Sequence, residues 1–294
     1  MMTKVAIIGG NGQVGWDLQR SLAVIGEVVS LNRTSKYFQL DLSQPDTIVS
    51  GLQEFKPHII VNASAYTAVD KAEEEQVLAK KINEDAPIVL AEQANKLNAL
   101  LVHYSTDYVF NGLSCLPYTE NDLTEPLNIY GKTKLAGDQA IESIANNYLI
   151  FRTSWVYTNR ANNFLLTMLK LAEQRNDLSI IDDQIGSPTW SRLIADVTAK
   201  AVFSKFVLNN DIKSGLYNLS SSGETSWFGF AKKIFQYTGV NNVKIVAIPT
   251  RDYPTPAARP KYTVLSNDKI EKTFKLYMPD WQESLKLCIA ELNS

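Results

Sequence analysis

KVAIIGGNGQVGWDLQRSLAVIG, residues 4–26, decides the fold. A short apolar run ends in glycines and passes into a segment with helical spacing, which Gly26 closes. The glycines satisfy G-x-G-x-x-G through Gly10, Gly12 and Gly15, and G-x-x-G-x-x-G through Gly9, Gly12 and Gly15. Between a strand and a helix, such spacing gives a tight turn, close backbone approach to a pyrophosphate, and close packing of helix on strand. Oriented N–H groups at the helix start then receive the negative charge. A glycine-rich loop without a ligand is the competing reading, and the strand-to-helix position argues against it.

Outward from this turn the pattern alternates. EVVSLN, HIIVNAS, ALLVHYS and YLIFRTS are strand candidates. QPDTIVSGLQEF and residues 130–147 are helical in spacing, and residues 70–98 hold one or two helices interrupted at Pro87. Short apolar runs alternating with helices predict parallel strands with crossover helices. The fold expected is therefore α/β: a Rossmann-type parallel sheet with flanking helices and a smaller, partly interleaved C-terminal lobe. Residues 1–155 are expected to form the nucleotide-binding domain, with later segments returning to it. Residues 156–294 are expected to form mostly the substrate-binding lobe. There LSIIDDQIGSPT and GLYNLSS contain short strands, and residues 192–207 and 226–238 read as helices. YPTPAARP, with three prolines in residues 253–260, cannot be regular structure.

The end of the second strand selects the dinucleotide. An acidic residue there favours NAD, but this chain has Asn32, Arg33 and Thr34. Arg33 has the fork of donors to pair with a 2'-phosphate, which points to NADPH without excluding NADH. A solvated loop arginine is the alternative. Asp41 and Leu42 are candidates to border the adenine.

Tyr130 and Lys134 stand four apart and so share one helix face. A free phenol has a pKa near ~10. A nearby ammonium and a bound nicotinamide would favour its phenolate, letting it exchange a proton with a carbonyl oxygen. Gly131 is read as clearance beside the cofactor. VHYSTDYVF brings Ser105, Thr106 and Asp107 to the carboxyl end of a strand, where open α/β sheets bind ligands. Either hydroxyl can bond a substrate oxygen or cap the following turn, and Asp107 can bind sugar hydroxyls or order its loop.

The composition excludes several classes. With 29 basic and 31 acidic residues and no long basic run, binding to nucleic acid or an anionic membrane has no support. His58 and His103 are the only histidines and lie far apart, and no H-E-x-x-H occurs, so no metal site is expected. Cys115 and Cys288 do not make a secreted scaffold. The N-terminal apolar run is too short for a signal peptide, and no segment approaches the ~20 apolar residues of a membrane span. A soluble, cytoplasmic protein is expected.

GGNGQVG, VNASAYTAVDKAE, VHYSTDYVF, PLNIYGKTKLAG, FRTSWVY and YPTPAARP together resemble the extended short-chain dehydrogenases, and within them the family of dTDP-4-dehydrorhamnose reductases. The glycine and Tyr/Lys signals are superfamily-wide; YSTDYVF, TAVDKAE and YPTPAARP are more particular. The resemblance implies reduction of the 4-keto group of dTDP-4-dehydro-β-L-rhamnose by a reduced nicotinamide cofactor. It implies that Gly9, Gly12, Gln13 and Val14 meet the pyrophosphate, and that Ala65, Tyr66 and Thr67 line the nicotinamide side with Tyr104. By the same resemblance Tyr130 is the proton donor, Lys134 its partner and Thr106 its tuner. Thr106, Asp107 and Trp155 would border the deoxysugar, and Arg259 would meet the diphosphate. Some members bind magnesium near a subunit interface. Arg192 stands where they carry a glutamate, so magnesium is not expected, and the chain is expected to be a monomer or homodimer. A dehydratase or epimerase of the same superfamily, and a non-catalytic nucleotide-binding subunit, are the alternatives.

Overall fold

The computed structural model describes residues 2–35 and 38–292. Lys4–Ile8 (β1) is buried over its last four residues. It pairs in parallel with Glu27–Leu31 (β2) on one side and Ile59–Asn62 (β3) on the other. Helix Gln13–Ser21 (α1) joins β1 to β2, and Pro45–Phe55 (α2) joins β2 to β3. Val69–Ala72 (α3) and Gln76–Lys80 (α4) follow, then a π turn at Lys81–Asp85 and helix Ala86–Leu97 (α5). Leu100–Thr106 (β4), Ile129–Ile144 (α6) and Tyr148–Thr153 (β5) complete the first half.

The second half runs Val156–Tyr157 (β6), Phe164–Gln174 (α7), Asp177–Ile181 (β7), Ile185–Gly186 (β8), Thr189–Trp190 (β9) and Ser191–Val202 (α8). Gly215–Asn218 (β10), Thr225–Ser226 (β11), Trp227–Thr238 (α9), Lys244–Ile248 (β12), Asp268–Phe274 (α10) and Trp281–Leu292 (α11) end it.

The main sheet has the order β2-β1-β3-β4-β5-β10, parallel throughout. Alternate residues of its strands face opposite layers, as the pleat requires. Val5, Ile7, Val61 and Val102 pack with Leu18 of α1 and Ile194 of α8. Ala6, Ile8, Ile60 and Leu101 pack with Leu52 of α2 and Leu90 of α5. Burial on both faces explains the unbroken apolar runs of the strands. A third core joins α7, α9 and α11 in the smaller lobe through Leu165, Phe230, Ile234 and Leu285. Interleaving is real: β10 returns to the edge of the main sheet, and α8 packs on α1.

Some local expectations change. Helix α1 ends at Ser21, not Gly26, because Ile25 N bonds Leu22 O in a turn that delivers Glu27 N to Thr3 O. Pro87 does not break its helix. It occupies the first turn of α5 directly after the π turn, so its missing N–H falls where the ladder has already widened. The helix from Tyr130 stops at Ile144, and α8 passes into a second π turn at Phe203–Val207. Among the described residues, no helix is long and apolar enough to cross a membrane.

Candidate functional site

A cleft of about 370 Å³ opens at the carboxyl ends of β1, β3, β4 and β5. Gly9, Gly12, Gln13 and Val14 line one side; Ala65, Thr67, Tyr104, Tyr130 and Lys134 line the other. Helix α1 starts at Gly12 with no side-chain cap and no acidic residue in its first turn, so its first N–H groups are not spent on a side-chain cap. Gln13 Oε1 and Thr153 Oγ1 are buried in this cleft without partners. The unspent N–H donors fit a dinucleotide pyrophosphate, while the unpaired Gln13 Oε1 and Thr153 Oγ1 can accept from hydroxyl or amide donors of the same ligand. Gly15 makes the turn possible, since a Cβ there would stand 2.1 Å from Gly9 O. Gly15→Ala is accordingly expected to cost about 1–3 kcal/mol through overpacking. Thermal unfolding with and without NADPH would show a lowered Tm and a smaller cofactor-induced rise.

The adenine-side candidates lie apart from this cleft. Asn32 Oδ1 accepts from Thr34 N and Thr34 Oγ1 at 2.9 Å, a local turn that leaves Arg33 exposed. Asp41 turns its carboxylate onto Ser43 N and Oγ at 2.9 and 2.8 Å. Leu42 packs in the core beneath the sheet with Leu31 and Leu40.

Tyr130 and Lys134 both reach the cleft from α6, but not as the spacing alone suggests. Lys134 is buried, and its Nζ donates to Tyr104 O at 2.6 Å and lies 3.0 Å from His103 Nε2. Burial holds the ammonium down to about 8, with Asp138 opposing. The phenol of Tyr130 is pushed up to about 12 by burial, with Thr106 opposing. In the chain by itself, loss of solvent outweighs the Thr106 contact that favours phenolate. Gly131 also serves another purpose than expected. A Cβ there would stand 2.3 Å from Tyr108 O, so the glycine lets α6 press on the turn Asp107–Val109. Tyr108 packs edge-on against Tyr130, ring centroids 5.8 Å apart.

The strand-end hydroxyls now separate. Ser105 lines the cleft, but its Oγ is committed to buried Asp138, donating to Oδ2 at 2.5 Å. Thr106 Oγ1 caps the turn by accepting from Tyr108 N and donates to Asp107 Oδ1, both at 3.1 Å, while facing Tyr130. Asp107 is buried, with Ser154 Oγ donating to its other oxygen at 2.9 Å. Burial raises its carboxyl to about 6 against the pull of these hydroxyls. Tyr104 lines the cleft, but its hydroxyl pairs with Thr198 of α8 at 2.7 Å. Tyr66 donates its phenol to Glu75 at 2.6 Å. Its backbone is clamped by Asn83, whose Oδ1 accepts from Tyr66 N at 2.8 Å and whose Nδ2 donates to Tyr66 O at 3.1 Å. Asn83 also reaches Thr133 on α6 at 3.2 Å, tying the loop after β3 to the Tyr/Lys helix. Nothing in its sequence neighbourhood marks that role.

A second cavity, of about 800 Å³, lies in the smaller lobe and includes Asp70, Phe164, Arg175, Trp227, Tyr253 and Arg259 in its lining. Arg259 forms a two-pronged pair with Asp70, at 3.0 and 2.7 Å. Two separated motifs, TAVDKAE and YPTPAARP, thereby meet at one place. Trp155, held at a positive φ of 45°, stacks face to face on Trp227 with centroids 3.5 Å apart. Its other surroundings include Gly186, where a Cβ would come within 2.6 Å of the indole. Arg192 donates to Glu291 at 2.9 Å and approaches Asp196 at 3.8 Å. Among the described residues, no group of three or more His, Cys, Asp or Glu side chains is arranged to hold a metal ion.

The family model described as the RmlD substrate binding domain matches residues 2–294. The dTDP-4-dehydrorhamnose reductase of Escherichia coli (strain K12) is 43% identical over 293 residues, covering 98% of this chain and 97% of that protein. The one from Salmonella typhimurium is 44% identical with the same coverage. The crystal structure of dTDP-4-dehydrorhamnose reductase from Bacillus anthracis in complex with NADP superimposes with a TM-score of 0.92 at 36% identity, over 99% of this chain and 100% of that one. A Thermus thermophilus UDP-glucose 4-epimerase, 18% identical with a TM-score of 0.82, shares the fold. Matches in sequence and fold along nearly the full length leave one assignment: the chain belongs to the dTDP-4-dehydrorhamnose reductase family.

Proposed function

We propose that this chain reduces the 4-keto group of dTDP-4-dehydro-β-L-rhamnose to dTDP-β-L-rhamnose, the last step of dTDP-L-rhamnose synthesis, with NADPH as the preferred cofactor. The observation that carries this reading is the position of Tyr130. It lines the glycine cleft, while Tyr108, packed on its ring, lies beside Arg259 at the second cavity. A cofactor in the first site and a nucleotide sugar in the second would meet at the phenol.

Gly9, Gly12, Gln13 and Val14 would hold the pyrophosphate, Arg33 the 2'-phosphate, and Ala65, Thr67 and Tyr104 the nicotinamide half. The cofactor supplies a hydride when bound. The carbonyl becomes an alcohol by gaining that hydride at carbon and the Tyr130 proton at oxygen. A phenol held up to about 12 stays protonated at neutral pH, the state a donor needs. Thr106 orients it, and the Lys134 ammonium offsets negative charge as the proton leaves. Trp155 and Trp227 offer a flat apolar wall to the methyl-bearing sugar face. Arg259 would take the diphosphate. The rival dehydratase reading needs Asp107 as a working acid, but both its oxygens are engaged by hydroxyls and it is 3% exposed.

Purified protein given dTDP-4-dehydrorhamnose is expected to oxidise NADPH, and to oxidise NADH less efficiently. Absence of turnover with folded protein would refute the reading, and stoichiometric NAD+ surviving purification would favour an epimerase or dehydratase. The pH dependence follows from Lys134. It is cationic below about 8 and neutral above, so kcat is expected to hold at neutral pH and fall on the alkaline side near that value. A decline that begins only where free tyrosine ionises would assign the limb to Tyr130 instead.

A further inference from the structure

Behind Lys134 lies a buried chain of polar groups that the reduction as described does not use. His103 Nε2 sits 3.0 Å from Lys134 Nζ, and Asn62 Nδ2 sits 3.0 Å from His103 Nδ1 on the opposite side of the ring. Asn62, His103 and Lys134 are each 1% exposed. Asp138, one turn along α6 from Lys134, lies 4.0 Å from His103 Nε2 and is held by Ser105 Oγ and by Arg152 Nε at 3.6 Å. These are the charged groups around the imidazole. Burial first, and then the Lys134 charge, keeps His103 from ionising, so the ring stays neutral and has only its tautomer to change.

We propose that Asn62 and His103 are positioning residues for Lys134, and that the proton state of the lysine is written into the tautomer of His103. The proposal rests on the reading that Lys134 acts beside Tyr130. An ammonium has three donors and no acceptor. Facing one, His103 Nε2 accepts, its ring proton sits on Nδ1, and Asn62 turns its carbonyl oxygen to receive it. Two lysine protons are then spoken for, by His103 and by Tyr104 O, and the third is left for the cleft. A neutral amine instead offers a lone pair. His103 then donates from Nε2 and accepts at Nδ1 from Asn62 Nδ2, leaving Asn62 Oδ1 to take Ser64 N at 3.3 Å. A mixed arrangement sets donor against donor in a dry site and is disfavoured. Ser64 belongs to the loop that lines the cleft, so the lysine's charge reaches the cofactor side through one imidazole and one amide.

The chain has only two histidines, which makes the ring nitrogens directly readable. In 15N spectra of the full chain, His103 is identified by its loss in His103→Gln. At neutral pH its Nε2 is expected to be pyridine-like and its Nδ1 pyrrole-like, and the two should exchange character across the alkaline limb of kcat. Nε2 protonated throughout would overturn the inference. In turnover, His103→Leu is expected to move the alkaline limb down by about one pH unit, with kcat on that limb about tenfold lower. His103→Gln, whose amide oxygen can accept from Lys134, should restore most of the limb, whereas a purely structural role would not separate the two. An unmoved limb in His103→Leu overturns the inference. If Lys134→Met still abolishes turnover, the Tyr/Lys reading survives that result; if it does not, that reading falls separately. Should His103→Leu not fold, Asn62→Ala carries the same measurement: a lowered limb supports the proposal and an unchanged one refutes it.

Discussion

Tyr130→Phe is expected to lower kcat by about 10²–10⁴-fold, the range contributed by a positioned general acid, with little change in NADPH affinity. The substitution removes one oxygen and keeps the ring, so the edge-on packing with Tyr108 survives. No other group can easily replace the donor. Thr106 Oγ1 already donates to Asp107, and Ser105 is committed to Asp138. Lys134 has a proton to give, but its Nζ is drawn back toward Tyr104 O and His103. Fluorescence titration with NADPH and single-turnover reduction would separate binding from chemistry. Retention of more than a tenth of the wild-type kcat would remove Tyr130 from the donor role.

The meeting of Tyr130 and Lys134 at one cleft was legible in the sequence because it rests on local geometry. An i, i+4 pair shares a helix face whatever surrounds it, and a glycine turn between strand and helix has few other uses. The parallel sheet was legible for a similar reason: β1, β3 and β4 are buried on both faces and so carry unbroken apolar runs. What could not be read is set by residues distant in the chain. The phenol of Tyr130 rises because folding strips it of water, which no spacing records. Asn83 holds Tyr66 across 17 residues and Thr133 across 50. Trp155 announced a flat surface, but not that Trp227 would lie on it. Leu42, a candidate for the adenine, packs in the core with Leu31 and Leu40, contacts that its sequence neighbourhood does not record. Helices α7, α10 and α11 carry no motif, and their packing in or beside the smaller lobe gives them their place.

Arg259→Ala is expected to raise KM for the dTDP sugar by about ten- to a hundredfold, the equivalent of losing ~1.5–3 kcal/mol of charge-assisted hydrogen bonding, while kcat at saturation changes much less. Arg259 is largely buried at the cavity edge, and Asp70 fixes the plane of its guanidinium through two bonds. The same contact holds the Asp70 carboxyl below the usual carboxylate range. A guanidinium oriented in advance loses little freedom on meeting a diphosphate, which is where the affinity gain lies. Lysine restores charge without the fork, so Arg259→Lys should recover only part of the loss. Asp70→Asn separates orientation from charge: the cation remains but its plane is less constrained, and KM should rise by less than in Arg259→Ala. The Asp70–Arg259 pair is partly exposed, so its own contribution to folding is small, about 0–1 kcal/mol. A Tm close to wild type in both variants would therefore accompany the KM effect. If instead Tm falls and KM for the sugar does not move, the pair is a clasp between loops, and the diphosphate is held elsewhere in the cavity, with Arg175 the next cation on its wall.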